Sequence, residues 1–301
     1  MFKKYKNVLF LILFILICNT FIITTYADDI NSNKETNTEL SANDDSKLDI
    51  STVTDNIISV IEMDQRNVFN LPEKYYKSLT EEEKDILEDT YNELYNNNFD
   101  ENHFRYKAIR AGLNMLHWGY SRDTRWKYVE DKDWGQRDCS SFTYTCYGPY
   151  TTFFGNIKLN NTSTTSILYT IRDKKLQVLY EDIVKRLQQE YEKNWLYNLD
   201  DYLLPGDIIL CTGNKSREEN IGHVAIYLCK GYVLHANGGD NGGLDGIHIE
   251  KWKKFAIYGD RINEIQGPKY IISIPNEYNR NIAFDLKYRN FKNYYQYLNN
   301  Y

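Results

Sequence analysis

Apolar residues in this chain change period several times, and the changes divide it. Val8 to Ile23 is an almost unbroken apolar run behind Lys3, Lys4 and Lys6. From Asp28 to Asn56 the chain is mostly Asp, Asn, Ser and Thr. That stretch buries too little to offset the entropy of ordering, which predicts a flexible tether. Helical spacing begins beyond residue 57. Thr80 and Glu83 form a capping-box signature, and Ile86, Leu87, Tyr91, Leu94 and Tyr95 follow as one stripe up to Asn96-Asn97-Asn98. A second helix is expected from about Glu101 to Leu116, with Ala108, Ile109, Ala111, Gly112 and Leu116 as a close-packing face. Cys139, Phe142 and Cys146 fall at i, i+3 and i+7, one face of a third helix that Gly148-Pro149 ends. Residues 150–203 read as an insertion centred on a charged amphipathic helix, Asp173 to Leu199.

After that the period becomes two. Leu204-Pro205-Gly206-Asp207 is a turn into a strand, Ile208 to Cys211. Gly222 to Cys229, Tyr232 to Ala236 and Lys269 to Ile274 are expected as further strands. Ser121 to Arg137 reads as a polar loop. Gly238 to Gly243 reads as a glycine-rich loop beside the site, lacking the helix and Lys-Ser/Thr of a phosphate cradle. The resulting class is α+β: a helix packed on a small antiparallel sheet, with an N-terminal helical extension and a helical insertion. The expected divisions are 1–27 (leader), 28–56 (linker), 57–100 (helical region), 101–275 (catalytic domain) and 276–301 (Tyr/Asn-rich tail).

Composition narrows the function. The three lysines, the apolar run and the small residues Thr25-Tyr26-Ala27 make a secretory signal peptide cleaved after Ala27, so the mature chain is expected outside the cell without a stable membrane anchor. A lipid on Cys18 is disfavoured by the bulky Ile17. Without the leader the net charge moves from −6 to −9, and residues 28–56, with eight acids and two lysines, hold −6 of it. The remaining −3 and the absence of a basic stripe exclude a nucleic-acid binder. Cys139, Cys146, Cys211 and Cys229 remain after processing. An even count in an exported chain raises a disulfide-stabilised binding module as a rival. Cys139 and Cys146 on one helix would be about 10.5 Å apart, too far to bridge each other. No C-x-x-C or H-x-x-x-H spacing occurs, so neither metal nor cofactor is expected.

The chemistry gathers on Cys139. A thiol attacks an amide as thiolate, and a helix N-terminus or a neighbouring imidazole lowers its pKa. Asp138 is a good N-cap, which puts Cys139 at the first helical position, beside unbonded N–H groups suited to an oxyanion. Two histidines follow, His223 and His235, twelve residues apart. If Cys229-Lys230-Gly231 is a three-residue hairpin loop, residue 225 opposes 235 and both imidazoles share a face. A two-residue loop would separate them. His223 is then the base and His235 the residue that orients it.

Asp138-Cys139-Ser140-Ser141, Leu204-Pro205-Gly206-Asp207-Ile208, Gly222-His223-Val224-Ala225-Ile226-Tyr227 and Leu234-His235-Ala236 resemble, in order, the motifs of the NlpC-type cell-wall cysteine peptidases. The resemblance implies a papain-like fold with Cys139 as nucleophile, His223 as base and His235 as third polar residue. It also implies that Trp118, Gly119, Tyr120, Asp138, Ser140 and Ser141 border the substrate. The substrate class it implies is bacterial cell-wall peptides, often cut between D-glutamate and a diamino acid. Three features depart from that pattern: Ser141 in place of a glycine, a long stretch between Gly119 and Cys139, and the 150–203 insertion. The same Cys-His pair also suits an amidase, an acyltransferase or a transglutaminase-like enzyme.

Overall fold

A computed structural model describes residues 66–154, 162–174, 200–212, 221–238, 246–251, 268–281 and 283–284. The leader, the linker, most of the helix expected over Asp173–Leu199, and all of the glycine-rich loop beyond Gly238 lie outside the described residues. All the described residues fall in one compact unit. Among the described residues no helix is long and apolar enough to cross a membrane.

The helical region opens with a short helix, α1 (Glu73–Tyr76), followed by α2 (Glu81–Asn96). Thr80 and Glu83 make the reciprocal bonds of a capping box at the start of α2, as their spacing requires. Ile86, Leu87 and Leu94 are buried, Tyr91 is half-buried against Phe69 and Tyr106, and Tyr95 is exposed, so the stripe faces inward except at Tyr95. Helix α2 packs behind the sheet. Thr90 Oγ1 donates to Cys229 Sγ at 3.3 Å, and Lys230 Nζ meets Asp89 at 2.6 Å. Helix α3 (Phe104–Leu113) is shorter than its apolar pattern because His103 caps it and Asn114 ends it.

Helix α4 (Cys139–Tyr147) lies against α3 and the sheet. Gly112 permits that approach: a Cβ there would sit 2.6 Å from Leu234 Cδ2, 3.0 Å from Phe142 Cζ and 3.3 Å from Cys146 Sγ. Cys146 is buried in this contact. Helix α5 (Thr164–Asp173) is the α-helix described within the insertion, so Asp173 ends a helix there rather than beginning one.

Eight strands are described. β1 (Gly119–Tyr120), β2 (Tyr128–Val129) and β3 (Trp134–Arg137) form a small sheet in the order β1-β3-β2. The stretch read as a polar loop therefore contains two strands. They were invisible to periodicity because two to four residues carry too little pattern. β4 (Ile208–Thr212), β5 (Ile221–Tyr227), β6 (Tyr232–Asn237), β7 (Gly246–Lys251) and β8 (Pro268–Ile272) form a wholly antiparallel sheet in the order β7-β6-β5-β4-β8. Strand β7 was not expected, although Ile247-His248-Ile249-Glu250 alternates as a half-buried strand does.

The turn into β4 is fixed by a buried ion pair. Gly206 adopts φ 82°, a conformation open to glycine, and Leu204 N–H donates to Asp207 Oδ2 at 2.9 Å. Asp207 Oδ1 is 2.8 Å from Arg105 Nη2, and both side chains are at most 2% exposed. Arg105 also donates to Pro205 O at 2.9 Å, which ties α3 to the start of the sheet. The first residues of the expected tail belong to this body: Asn279 Oδ1 accepts from Phe104 N at 3.0 Å, and Asn276 Oδ1 lies 2.9 Å from His103 Nε2.

Candidate active site

Cys139 reaches its place through the cap that starts its helix. Asp138 Oδ1 accepts from Ser141 N at 2.7 Å and from Ser140 Oγ at 2.9 Å, while Ser141 Oγ accepts from Asp138 N at 2.9 Å. Ser141 thus completes a capping box that a glycine could not make. Asp138 Oδ2 accepts from Arg125 Nη1 at 3.0 Å. Asp138, Ser140 and Ser141, expected at the substrate, are buried in the cap that holds Cys139 at the first helical position.

The segment before the cysteine supplies a wall. β1 runs parallel to β3 with Tyr120 beside Arg137, two residues from Cys139. Trp118, expected to line the cleft, is 1% exposed instead. Its indole donates to Asp133 O at 3.2 Å and the Arg137 guanidinium stacks 5.1 Å from its ring. Gly119 and Tyr120 remain half-buried. Tyr120 Oη accepts from Arg122 Nε at 3.2 Å, and Gly238 fits only because it lacks a Cβ, which would lie 2.8 Å from the tyrosine ring.

The histidines meet as the three-residue loop requires. Ile226 pairs with Leu234 and Tyr227 with Val233, the register in which residue 225 opposes 235. Lys230 (φ 49°) and Gly231 (φ 75°) take the left-handed conformations that close the loop. His223 Nε2 lies 3.0 Å from His235 Nδ1, with the rings edge to face. The backbone N–H groups of Val224 and Ser140 favour the ionised form of the Cys139 thiol, and Val224 follows His223 on β5.

Two further residues complete the cluster. His235 stands directly opposite His248 on β7, and its Nε2 is 3.1 Å from His248 Nε2 and 3.2 Å from Glu250 Oε2. Burial opposes ionisation of Glu250, but the neighbouring His235 and His248 outweigh it and hold the carboxyl down to about 2. A carboxylate there accepts His235 Nε2–H. His235 Nδ1 then carries the lone pair that accepts His223 Nε2–H, and His223 Nδ1 is left unprotonated. Local motif spacing could not find His248 or Glu250, because strand register brings them in.

Electrostatics depart from the expectation of a lowered thiol. Burial, with Asp138 next to it, pushes Cys139 up to about 12 despite the helix start. Burial and the neighbouring His235 and His248 push His223 well below 6.5. Burial likewise takes His235 down to about 4, although Glu250 acts in the opposite sense. The resting pair is therefore neutral thiol and neutral imidazole. Cys139, Cys146, Cys211 and Cys229 are all free and buried, which removes the two-bridge arrangement on which the binding-module alternative relied.

The NlpC/P60 family model matches residues 118–259, a span that includes Cys139, His223, His235, His248 and Glu250. No curated protein matches the chain.

Proposed function

We propose that this chain, whose residues 118–259 match the NlpC/P60 family model, is an exported cysteine endopeptidase of papain-like fold that cuts peptidoglycan stem peptides. The bond we assign is the one between D-glutamate and a diamino acid. The observation that carries this reading is the His223–His235 contact at 3.0 Å, on the strand whose Val224 N–H favours the ionised form of the Cys139 thiol. Export is read from the leader sequence alone.

His223 Nδ1 takes the thiol proton as the sulfur attacks the scissile carbonyl carbon. Both groups prefer their neutral forms, so proton transfer and C–S bond formation are coupled, and negative charge passes to the carbonyl oxygen. The Cys139 N–H at the start of α4 holds that oxyanion. His223 then returns the proton to the departing amine, leaving a thioester on Cys139. Water, deprotonated by His223, releases the acid and restores the thiol. His235, backed by Glu250, keeps His223 in the tautomer this requires and stabilises the imidazolium while it exists.

Arg122 supports an acidic substrate. It is exposed, and its positive charge is felt at both Cys139 and His223. The insertion packs on the helix start, where Thr162 O accepts from Arg125 Nη1 at 2.8 Å. Mass spectrometry of fragments released from defined muropeptides tests the assignment. Free D-glutamyl carboxyl ends together with free diamino-acid amines are expected. Products joined to an added amine would instead make it an acyltransferase, and intact muropeptides would remove the proposal.

A further inference from the structure

We propose that His235, His248 and Glu250 form a divalent-metal site suited to Zn²⁺, and that its occupation switches the catalytic pair off. His235 Nε2, His248 Nε2 and Glu250 Oε2 make a triangle with edges of 3.1, 3.2 and 3.5 Å. Ligands bound at 2.0–2.1 Å around a tetrahedral ion are separated by about 3.3–3.4 Å, so the three atoms already stand at coordination spacing. Two imidazoles and a carboxylate, with a fourth position for water, are a donor set that zinc accepts.

The hydrogen bonding around the triangle points the same way. His248 Nδ1–H donates to Gly246 O at 3.2 Å, the outer bond that ligating histidines typically make, and this leaves Nε2 as the lone-pair nitrogen. His248 Nε2 and Glu250 Oε2 then confront each other at 3.5 Å, with one proton, on His235 Nε2, to divide between them. The three side chains are 0%, 8% and 12% exposed. Converging lone pairs in so enclosed a place are relieved by a cation.

The regulatory consequence follows from tautomers and rests on the reading of Cys139 and His223 given above. An ion on His235 Nε2 displaces that proton, and a neutral imidazole so ligated carries its hydrogen on Nδ1. His235 Nδ1–H then donates to His223 Nε2, which must offer its lone pair. The His223 hydrogen moves to Nδ1, the nitrogen that would receive the thiol proton. A bound ion therefore removes the base without touching Cys139.

The binding arm of the test uses the chain carrying Cys139→Ala, so that it stands whether or not the hydrolase reading does. Zn²⁺ added to this chain should bind at one equivalent. Nitrogen-detected NMR should show His235 changing from the Nε2–H to the Nδ1–H form. Co²⁺ in the same place should give a tetrahedral ligand-field spectrum without a thiolate charge-transfer band. Adding His248→Ala, or Glu250→Gln as a second variant, should weaken binding by roughly a hundredfold, at or beyond the upper end of what loss of an outer-shell partner costs. With Cys139 intact, Zn²⁺ should inhibit hydrolysis, and His248→Ala should remove that sensitivity. Absence of binding, or binding undiminished in both variants, would overturn the site. Inhibition equal with and without His248 would put the ion on Cys139 and His223 and overturn the switch.

Discussion

Gly246→Ala is the substitution whose effect follows most directly from the geometry. Gly246 begins β7 at φ 126°, which an L side chain adopts only under strain of about 1–3 kcal/mol. A Cβ there would lie 2.3 Å from Trp118 O, so the two backbones must part by about 1 Å to reach an ordinary C···O contact. That movement breaks or stretches the bonds from Ile247 N to Trp118 O at 2.9 Å and from His117 N to Ile247 O at 3.1 Å. Each contributes about 1 kcal/mol. The expected loss is about 3–5 kcal/mol, seen as a fall of roughly 6–20 °C in Tm for a unit of this size. Because β7 carries His248 and Glu250 behind His235, hydrolysis measured well below the lowered Tm should also fall about tenfold or more, by misplacing the base. A variant with Tm within 1 °C or so of the parent and full activity would show that β7 neither anchors the wall nor supports the histidines.

Three other outcomes follow from the same structure. Asp207→Asn leaves the buried Arg105 guanidinium without its counter-charge and should cost about 3–5 kcal/mol in urea unfolding; a loss below about 1 kcal/mol would make the pair incidental. His235 titrates at about 4 when folded, below its ordinary 6.5, so the unfolded chain takes that proton first as pH falls. Stability should decline by about 2 kcal/mol between pH 7 and pH 5 on this account, and His235→Gln should lack that part of the slope. Arg122→Ala should raise KM for stem peptides several-fold with little change in kcat, as loss of uniform binding does, and an unchanged KM would detach Arg122 from the substrate.

The legibility of the chain followed the range of each interaction. The capping boxes at Thr80 and Asp138 are local, and they stand where the residues put them. The hairpin register was legible because Cys229-Lys230-Gly231 had only two sensible closures, and a single shift would have turned one imidazole to the other face. His248 and Glu250 were not, since their partnership with His235 exists only through the β6–β7 ladder. Tyr128-Val129 and Trp134–Arg137 were too short to show a period. Trp118 and the serines after Cys139 were placed at the substrate by resemblance, and the structure shows them buried around Cys139, as Cys139 itself is. The thiol shows the limit of a one-dimensional argument most plainly. A helix start lowers a cysteine pKa by a local field, but desolvation depends on everything packed around it and dominates here.

Comparison of the chain with its Cys139→Ala variant on a purified muropeptide, with mass-spectrometric detection of both fragments and any enzyme thioester, tests the account most directly. Release of peptide by the parent through a thioester on Cys139, and a loss of roughly 10³-fold or more in the variant, is the result predicted. Equal release by both proteins would contradict it.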